Sequence, residues 1–244
     1  MTDGLLLLHA WPLDARMWEP LRDTLEPAVT VAAPHHPGFG GSELAGPVTS
    51  MAACAERALA ALDTGGIDRA LVCGLSMGGY VAFELLRRAP ERILGLVLAN
   101  TRAVADAPDA AAGRRALAER LRTEGNVLAA QPPPLLAEEA PAELADRVRS
   151  WIADQPPEAI AAAAVGMAER PDSTKDLAGI DVPTLVITST GDRLIPAAVS
   201  SEMSRSIPGA RLEVLEGPGH LTNLEAPEAF TALLRDHLAA CGVG

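Results

Sequence analysis

The chain has 244 residues, of which 48% are hydrophobic and only 3% are aromatic. This length suits one domain with a large core and leaves room for a small inserted lobe. Its 32 Asp and Glu residues outnumber its 20 Lys and Arg residues, so the formal net charge is −12. This balance argues against a nucleic-acid partner or an anionic membrane surface, because both bind basic patches.

The three cysteines are an odd number without metal-ligand spacing, so packing is a more plausible role for them than a disulfide framework. The first apolar run, residues 5–8, is too short for the core of a signal sequence, and no cationic segment precedes it. No apolar stretch of the sequence is long enough to span a bilayer. These features predict a cytoplasmic protein without a membrane partner.

Short apolar runs alternate with segments of helical periodicity along most of the chain. The predicted strands are residues 4–9, 29–34, 70–74, 93–100, 183–189 and 210–216. The predicted helices are residues 16–25, 51–62, 80–88, 196–206 and 227–240. Strands that are apolar throughout are buried on both faces, which indicates a parallel sheet covered by helices. The alternation therefore predicts a doubly wound α/β fold with about six parallel strands.

One long segment breaks this alternation. Residues 102–175 contain no convincing strand but several helical segments rich in Ala, Glu and Arg, which are separated by prolines at 132–134 and 156–157. An insertion of this size between two strands predicts a helical cap. The predicted organisation is therefore a core of residues 1–101 and 176–244 with a cap of residues 102–175.

A serine flanked by glycines joins the third predicted strand to a helix. Gly74 and Gly78 lie two residues before and two residues after Ser76, and Gly79 follows. A sharp strand-to-helix turn requires small residues at such positions, and it holds the serine hydroxyl out toward a reacting group. The following helix directs its N-terminal N–H groups and positive dipole end at the same point. Ser76 is thus a candidate nucleophile.

A nucleophilic serine needs a base and a carboxylate that orients the base. His220 lies in a glycine-rich turn after the last predicted strand, and Asp192 follows the strand before it. Loops after parallel strands meet at the carboxyl edge of the sheet, so we expect both residues near Ser76. The other histidines suit the role less well. His237 is expected on the solvated surface of the last helix, and His35 and His36 are expected in a loop, with either a structural role or a place at the rim of the pocket.

An acyl-transfer site also needs donors for the developing oxyanion. The residue after the nucleophile supplies one, the backbone N–H of Met77. The loop after the first strand is expected to supply the other, and the N–H of Trp11 is the best candidate, because Pro12 has no N–H. Trp11, Phe39, Tyr80 and Trp151 are candidates for lining the substrate pocket, and no metal site is expected.

Four segments in this order give the chain a family resemblance: residues 9–14, 35–42, 74–79, and the pairs 191–192 and 219–220. The chain resembles serine hydrolases of the α/β-hydrolase fold along nearly its whole length. It is most similar to pimeloyl-carrier-protein methyl esterases and 3-oxoadipate enol-lactonases. The resemblance implies hydrolysis of a small carboxylic ester or lactone through an acyl-serine intermediate, without a cofactor. Whether the protein is a monomer or a homodimer is left open by the sequence.

Three features depart from the family pattern. Ala10 replaces the usual glycine of the oxyanion loop and adds a methyl group there, and His35 replaces the Asp that usually opens the Pro-Gly-x-Gly loop. The first strand begins at about Gly4, so the antiparallel pair that commonly precedes it is expected to be missing from the sheet. We therefore expect a trimmed sheet.

Three other readings use the same fold. A cofactor-free haloperoxidase, or perhydrolase, needs only peroxide in place of water at the same triad. A hydroxynitrile lyase is disfavoured, because it expects a hydroxyl residue at Ala10 and a lysine beside the catalytic histidine, where Gly219 and Leu221 stand. The third possibility is a non-catalytic ligand-binding member of the fold.

Overall fold

The centre of the molecule is a six-stranded sheet, seen in a computed structural model that describes residues 2–25 and 28–244. Its strands are β1 Asp3–Leu8, β2 Thr30–Ala32, β3 Arg69–Leu75, β4 Ile93–Ala99, β5 Thr184–Ser189 and β6 Arg211–Leu215. They lie in the order β2-β1-β3-β4-β5-β6, and every neighbouring pair is parallel. The prediction of a sheet of about six parallel strands is confirmed.

The burial of the strands follows their sequence. Residues 5–8 of β1 are completely buried, because helices cover both faces of the central strands. The edge strand β6 is different, since Arg211, Glu213 and Val214 leave it partly exposed. Strand β1 lies between β2 and β3, so the strand order reverses there and the loops after β1 and β3 diverge. Such a switch point at the carboxyl edge forms the crevice where ligands bind in this class of sheet.

The helices of the described chain begin where the sequence provides start signals. Pro108, Pro157 and Pro227 each occupy the first turn of a helix, where the missing N–H costs nothing. The helices are α1 Glu19–Leu25, α2 Met51–Thr64, α3 Met77–Arg88, α4 Pro108–Glu124, α5 Val127–Ala130, α6 Ala142–Ala153, α7 Pro157–Ala168, α8 Ala197–Arg205, α9 Thr222–Glu225 and α10 Pro227–Ala240. Among the described residues, none of these helices has the length and hydropathy needed to cross a membrane.

Helices α4 to α7 lie between β4 and β5 in the sequence, in the segment for which a helical cap is predicted. Helix α7 is buried along residues 159–167, which explains why nearly all of its residues are small or apolar. It packs against α4 and against the loop before α2, where the Thr49 N–H donates to the Ala162 carbonyl at 3.0 Å. A side chain at Gly166 would overlap the Thr49 carbonyl. The exact division into core and cap stays a prediction.

The prediction that His237 is a solvated surface residue is wrong. It lies on the inner face of α10 with Phe230 and Leu234, and only 5% of it is exposed. Burial lowers the pKa of His237, although hydrogen bonds with the backbone of Leu96 and Pro183 oppose this effect. The spacing of 230, 234 and 237 puts the three residues on one helical face, and the packing of α10 turns that face inward.

His9 and His36 form a buried pair beneath the loop after β1. Their ring centroids are 4.0 Å apart, and the backbone N–H of His36 donates to Nε2 of His9 at 2.9 Å. Burial lowers the pKa of His9 to about 3, and it lowers the pKa of His36 well below its ordinary value. Both rings are therefore neutral in the folded protein at neutral pH, and they brace the loop that carries Ala10 and Trp11.

This pair predicts acid sensitivity. The folded-state pKa of each ring lies below the unfolded value of about 6.5, so the unfolded chain binds more protons as the pH falls below that value. We expect the free energy of unfolding to fall by about 1 kcal/mol per pH unit for each ring between pH 6.5 and 5. Urea unfolding at pH 7.5, 6.5, 5.5 and 5 measures the slope, and the folded variant His36→Gln should show a shallower one. A stability that is constant over this range would contradict the prediction.

Candidate active site

Ser76 lies at the turn between the end of β3 and the first residue of α3. Its backbone angles are φ 56° and ψ −113°, a conformation that costs a non-glycine residue roughly 1–3 kcal/mol. Two hydrogen bonds stabilise it. The Ser76 N–H donates to the Ala99 carbonyl at 2.9 Å, and the Thr101 hydroxyl donates to the Ser76 carbonyl at 2.8 Å. The Ser76 side chain is thus held at the carboxyl edge of the sheet.

Glycines are required around this turn because three backbones approach one another. A Cβ at Gly74 would overlap the Gly78 carbonyl, and a Cβ at Gly78 would overlap the Leu8 carbonyl of β1. A Cβ at Gly79 would collide with the Thr101 side chain that holds the turn. The local sequence therefore allows α3 to start directly against β1 and β3.

We expect Gly78→Ala to destabilise the protein by about 1–3 kcal/mol, because the obstacle is backbone that cannot rotate away. The matched control is Gly113→Ala in α4, where a Cβ meets no atom within 4 Å. Alanine is the better helix former, so the control should be neutral or gain about 0.5–1 kcal/mol. Urea unfolding of both variants checks the difference. Equal stabilities of the two variants would contradict the close approach.

His220 and Asp192 form a buried pair. The distance from Nδ1 of His220 to Oδ2 of Asp192 is 2.7 Å, and the two side chains are 2% and 0% exposed. A carboxylate partner keeps the proton on Nδ1 of the neutral ring, which leaves Nε2 as an acceptor. The arrangement can take a proton at Nε2 and stabilise the resulting imidazolium.

Asp192 is held by donors on both of its carboxylate oxygens. Oδ1 accepts from the N–H groups of Leu194 at 2.8 Å and Ile195 at 2.9 Å, and Oδ2 accepts from the side-chain amide of Asn100 at 2.9 Å. Burial by itself raises the pKa of Asp192, but the bonds from His220, Ile195 and Asn100 outweigh burial and lower it below its ordinary value. The carboxylate is therefore ionised and fixed in orientation at neutral pH.

Asn100 is a buried residue of this site that the motif argument does not name. Its φ of 43° lies in the left-handed region, which asparagine tolerates better than most residues. Its amide also donates to the Ser189 hydroxyl at 2.9 Å, and its carbonyl oxygen accepts from the Thr222 hydroxyl at 2.8 Å. Because Asn100 directly follows β4, its place in the sequence puts it at the same carboxyl edge of the sheet as Asp192.

The loop that carries His220 is bound to the segment after α5. The N–H groups of His220 and Leu221 donate to the Leu135 carbonyl at 3.0 and 3.1 Å. Glu225 joins the same two segments, since its carboxylate accepts from the N–H of Gly219 and the N–H of Ala137, both at 2.9 Å. The position of the His220 ring thus depends on the segment inserted between β4 and β5.

A cavity of about 250 Å³ opens beside Ser76 and His220. Two of the four residues predicted to line a pocket, Trp11 and Tyr80, line it. The rest of its wall comes from the loop after β4, helix α4, the proline-rich segment, α7 and the loop after β5: Arg102, Arg114, Pro133, Leu135, Met167, Leu194 and Ile195. Among the described residues, no hydrogen bond joins the Ser76 hydroxyl to His220, and such contacts are often long in ligand-free sites.

The prediction that Phe39 and Trp151 line this cavity is wrong. Phe39 is completely buried and packs edge-on against the His9 ring, with centroids 5.5 Å apart. Trp151 is in α6, where the guanidinium groups of Arg16 and Arg147 lie 6.0 and 5.6 Å from its ring centroid. Both aromatics therefore support loops and helices outside the cavity.

The two predicted oxyanion donors are Met77, at the start of α3, and Trp11, in the loop after β1. Met77 is the first residue of α3, so its N–H has no partner within the helix. Among the residues that the structure describes, neither the backbone N–H of Met77 nor the backbone N–H of Trp11 donates to a protein acceptor. The Trp11 indole donates to the Ile160 carbonyl at 3.1 Å, which fixes the side chain over the cavity. Their catalytic role stays a prediction.

Two of the three departures from the expected pattern, Ala10 and His35, are packed into the surroundings of the site. Ala10 is completely buried, and its N–H donates to the Met17 sulfur at 3.2 Å. His35 accepts from the Ala15 N–H at 3.2 Å through Nδ1, and its carbonyl accepts from Arg57 at 2.8 Å. In residues 2–25 and 28–244, no group of three or more His, Cys, Asp or Glu side chains is placed to hold a metal ion.

Comparison with known proteins shows the family of the chain. Residues 5–233 match the model of the alpha/beta hydrolase family. The pimeloyl-acyl-carrier-protein methyl ester esterase of Aromatoleum aromaticum is 30% identical over 247 residues, covering 95% of this chain and 96% of that protein.

Two solved structures are also similar. A thermophilic esterase from Thermogutta terrifontis has 40% identity and a TM-score of 0.92, covering 99% of this chain and 92% of that one. The enol-lactonase from Burkholderia xenovorans has 30% identity and a TM-score of 0.86, covering 98% and 92%. The chain therefore belongs to the alpha/beta hydrolase family, as a hydrolase of the esterase type.

Proposed function

We propose that the chain hydrolyses a small carboxylic ester or lactone through an acyl-serine intermediate. Ser76 is the nucleophile, His220 the base and Asp192 the residue that orients His220. The observation that carries the proposal is the buried 2.7 Å pair of His220 and Asp192, whose histidine lines the same cavity as Ser76. The relatives named above as a methyl ester esterase, an esterase and an enol-lactonase support the same class of reaction.

In the first half-reaction, Nε2 of His220 takes the proton of the Ser76 hydroxyl as Oγ attacks the carbonyl carbon. The carbonyl oxygen becomes an oxyanion, which the N–H groups of Met77 and Trp11 bind in this proposal. The C–O bond to the alcohol then breaks, and the alkoxide leaves with the proton from His220. In a lactone the alcohol stays attached to the acyl group.

In the second half-reaction, water replaces the alcohol. Nε2 of His220 takes a proton from water, and the hydroxide adds to the acyl carbonyl. The second tetrahedral intermediate collapses, and the Ser76 oxygen recovers its proton from His220. Over both half-reactions, an ester and one water become one carboxylic acid and one alcohol, a lactone and one water become one hydroxy acid, and Asp192 stays ionised throughout.

A fluorophosphonate probe tests this proposal on the intact protein. The proposal expects one covalent adduct per chain, and peptide mass spectrometry should find it on Ser76. Turnover is then measured with p-nitrophenyl esters of increasing acyl length, and the 250 Å³ cavity favours short acyl groups. A folded protein that neither reacts with the probe nor hydrolyses any ester would overturn the proposal.

A further inference from the structure

Three arginines surround a single buried carboxylate next to the cavity. The Asp106 side chain is completely buried and accepts from Arg102 at 2.7 Å, Arg114 at 2.6 Å and Arg170 at 3.0 Å. Within the part of the chain that the structure describes, Asp106 is the one carboxylate that forms an ion pair with Arg102 or Arg114. Three guanidinium groups therefore share one negative charge.

The three arginines are not equivalent. Arg170 is buried and bound to the protein: it donates to the Met167 carbonyl at 2.7 Å and the Val104 carbonyl at 2.9 Å, and it lies 4.1 Å from the Tyr80 ring centroid. By contrast, Arg102 and Arg114 each donate through a single nitrogen, to Asp106. Their other nitrogens have no protein acceptor among the described residues, and the Nε of Arg102 is buried without a partner.

The two incompletely paired arginines are also the ones that reach the candidate active site. Arg102 and Arg114 line the cavity beside Ser76, and each is about one quarter exposed. A largely buried guanidinium with free donors can bind a carboxylate, because its planar fork matches the two oxygens. This local positive charge is opposite in sign to the net charge of −12 for the whole chain.

We propose that Arg102 and Arg114 form an anion subsite of the substrate cavity, and that the substrate carries a free carboxylate besides its ester bond. This inference rests on the proposed function and names its substrate class: half-esters of small dicarboxylic acids, or lactones that bear a carboxylate. Asp106 and Arg170 are positioning residues, since they fix the two arginines without reaching the cavity wall themselves.

The carboxylate bound in this subsite takes no part in bond making or breaking. For the half-ester monomethyl glutarate, hydrolysis adds one water and yields methanol and glutarate, with release of one proton at neutral pH. The size of the cavity, about 250 Å³, is consistent with a substrate of this kind, because larger cavities usually hold drug-sized ligands.

Two esters of the same shape test the preference for an anion. Monomethyl glutarate carries a carboxylate where methyl 5-methylhexanoate carries an isopropyl group, and a pH-stat measures the hydrolysis of both. We expect the wild-type protein to have the larger kcat/KM for monomethyl glutarate. In Arg114→Met, the ratio of the two kcat/KM values should fall roughly 10- to 100-fold, the effect of losing a charge-assisted hydrogen bond.

The matched control is Arg115→Met, which removes the same charge from the exposed neighbouring position of α4. We expect the control to keep the wild-type ratio. In Arg114→Met, Asp106 keeps Arg102 and Arg170 as partners, so the buried carboxylate stays paired. Circular dichroism verifies folding, and Arg102→Met is the second variant if Arg114→Met does not fold.

Direct binding separates this inference from the proposed function, because it needs no turnover. Isothermal titration of the intact protein with glutarate should show binding that weakens in Arg114→Met and not in Arg115→Met. An equal ratio in wild type and Arg114→Met, or no glutarate binding, overturns the subsite even if Ser76 hydrolyses neutral esters. Tighter binding of inorganic phosphate than of glutarate overturns its assignment to a carboxylate. Arg114-dependent glutarate binding without any ester hydrolysis supports the subsite and contradicts the proposed function.

Discussion

Ser76→Ala should lower kcat for ester hydrolysis by roughly 10⁴- to 10⁶-fold, because the variant has no group that can form the acyl intermediate. The fold should be unaffected, since the bonds that hold the turn come from the backbone of Ser76 and from Thr101. Alanine also accepts the positive φ no worse than serine does. Turnover of a p-nitrophenyl ester and labelling by the fluorophosphonate measure the effect together.

The control for this variant is Ser206→Ala, at an exposed serine beyond the end of α8. It should retain full activity and full labelling. If Ser76→Ala kept a tenth or more of the wild-type turnover while folded, Ser76 would not be the nucleophile. Any residual hydrolysis by Ser76→Ala then comes from substrate binding and from oxyanion stabilisation by the remaining groups.

Asp192→Asn should lower kcat by about 10⁴-fold while leaving the shape of the site intact. An amide at this position presents an NH2 group to Nδ1 of His220, which favours the tautomer with its proton on Nε2. That tautomer has no lone pair for the Ser76 proton, so the base is lost although the ring remains. The Asp192 side chain is completely buried and lies 2.7 Å from Nδ1 of His220, so the amide of the variant contacts the ring directly.

Stability measurements distinguish this tautomer effect from general damage. The N–H groups of Leu194 and Ile195 can still donate to the amide oxygen of the variant. We therefore expect Asp192→Asn to lose about 1–3 kcal/mol of stability, the cost of weakened bonds to a charged group, and to stay folded at 25 °C. Asp181→Asn, at an exposed position before β5, is the matched control and should change neither rate nor stability. Activity of Asp192→Asn within tenfold of wild type would remove Asp192 from the mechanism.

The strands and the turn at Ser76 could be predicted because local chemistry determines them. An uninterrupted apolar run such as residues 5–8 is stable only where both faces of a strand are covered. Gly74 and Gly78 must be glycine at this turn, because a Cβ at either position would overlap a neighbouring backbone carbonyl. Parallel strands also bring the ends of β3, β5 and β6 to one edge, so their order alone predicts that Ser76, Asp192 and His220 share that edge.

The errors concern side chains whose environment comes from distant segments. His237 has a helical spacing that fits either a buried or an exposed face, and the packing of α10 decided it. Phe39 lies in the segment 35–42 and Trp151 in the predicted cap, yet their rings contact His9 and the guanidinium groups of Arg16 and Arg147 instead of the cavity. No local pattern distinguishes an aromatic residue in a cavity wall from one in a loop support.

The sequence by itself thus indicated the strands, their parallel arrangement and the residues of the candidate triad, because each follows from nearby apolar periodicity, small-residue turns and chain order. Only the tertiary structure decided the walls of the cavity. Arg102 and Arg114 are twelve residues apart in an acidic chain, and neither has a motif around it. Their proximity to Ser76 depends on how α4 packs on α7 and how the buried Asp106 gathers three guanidinium groups. Such long-range packing is not encoded in any local window of the sequence.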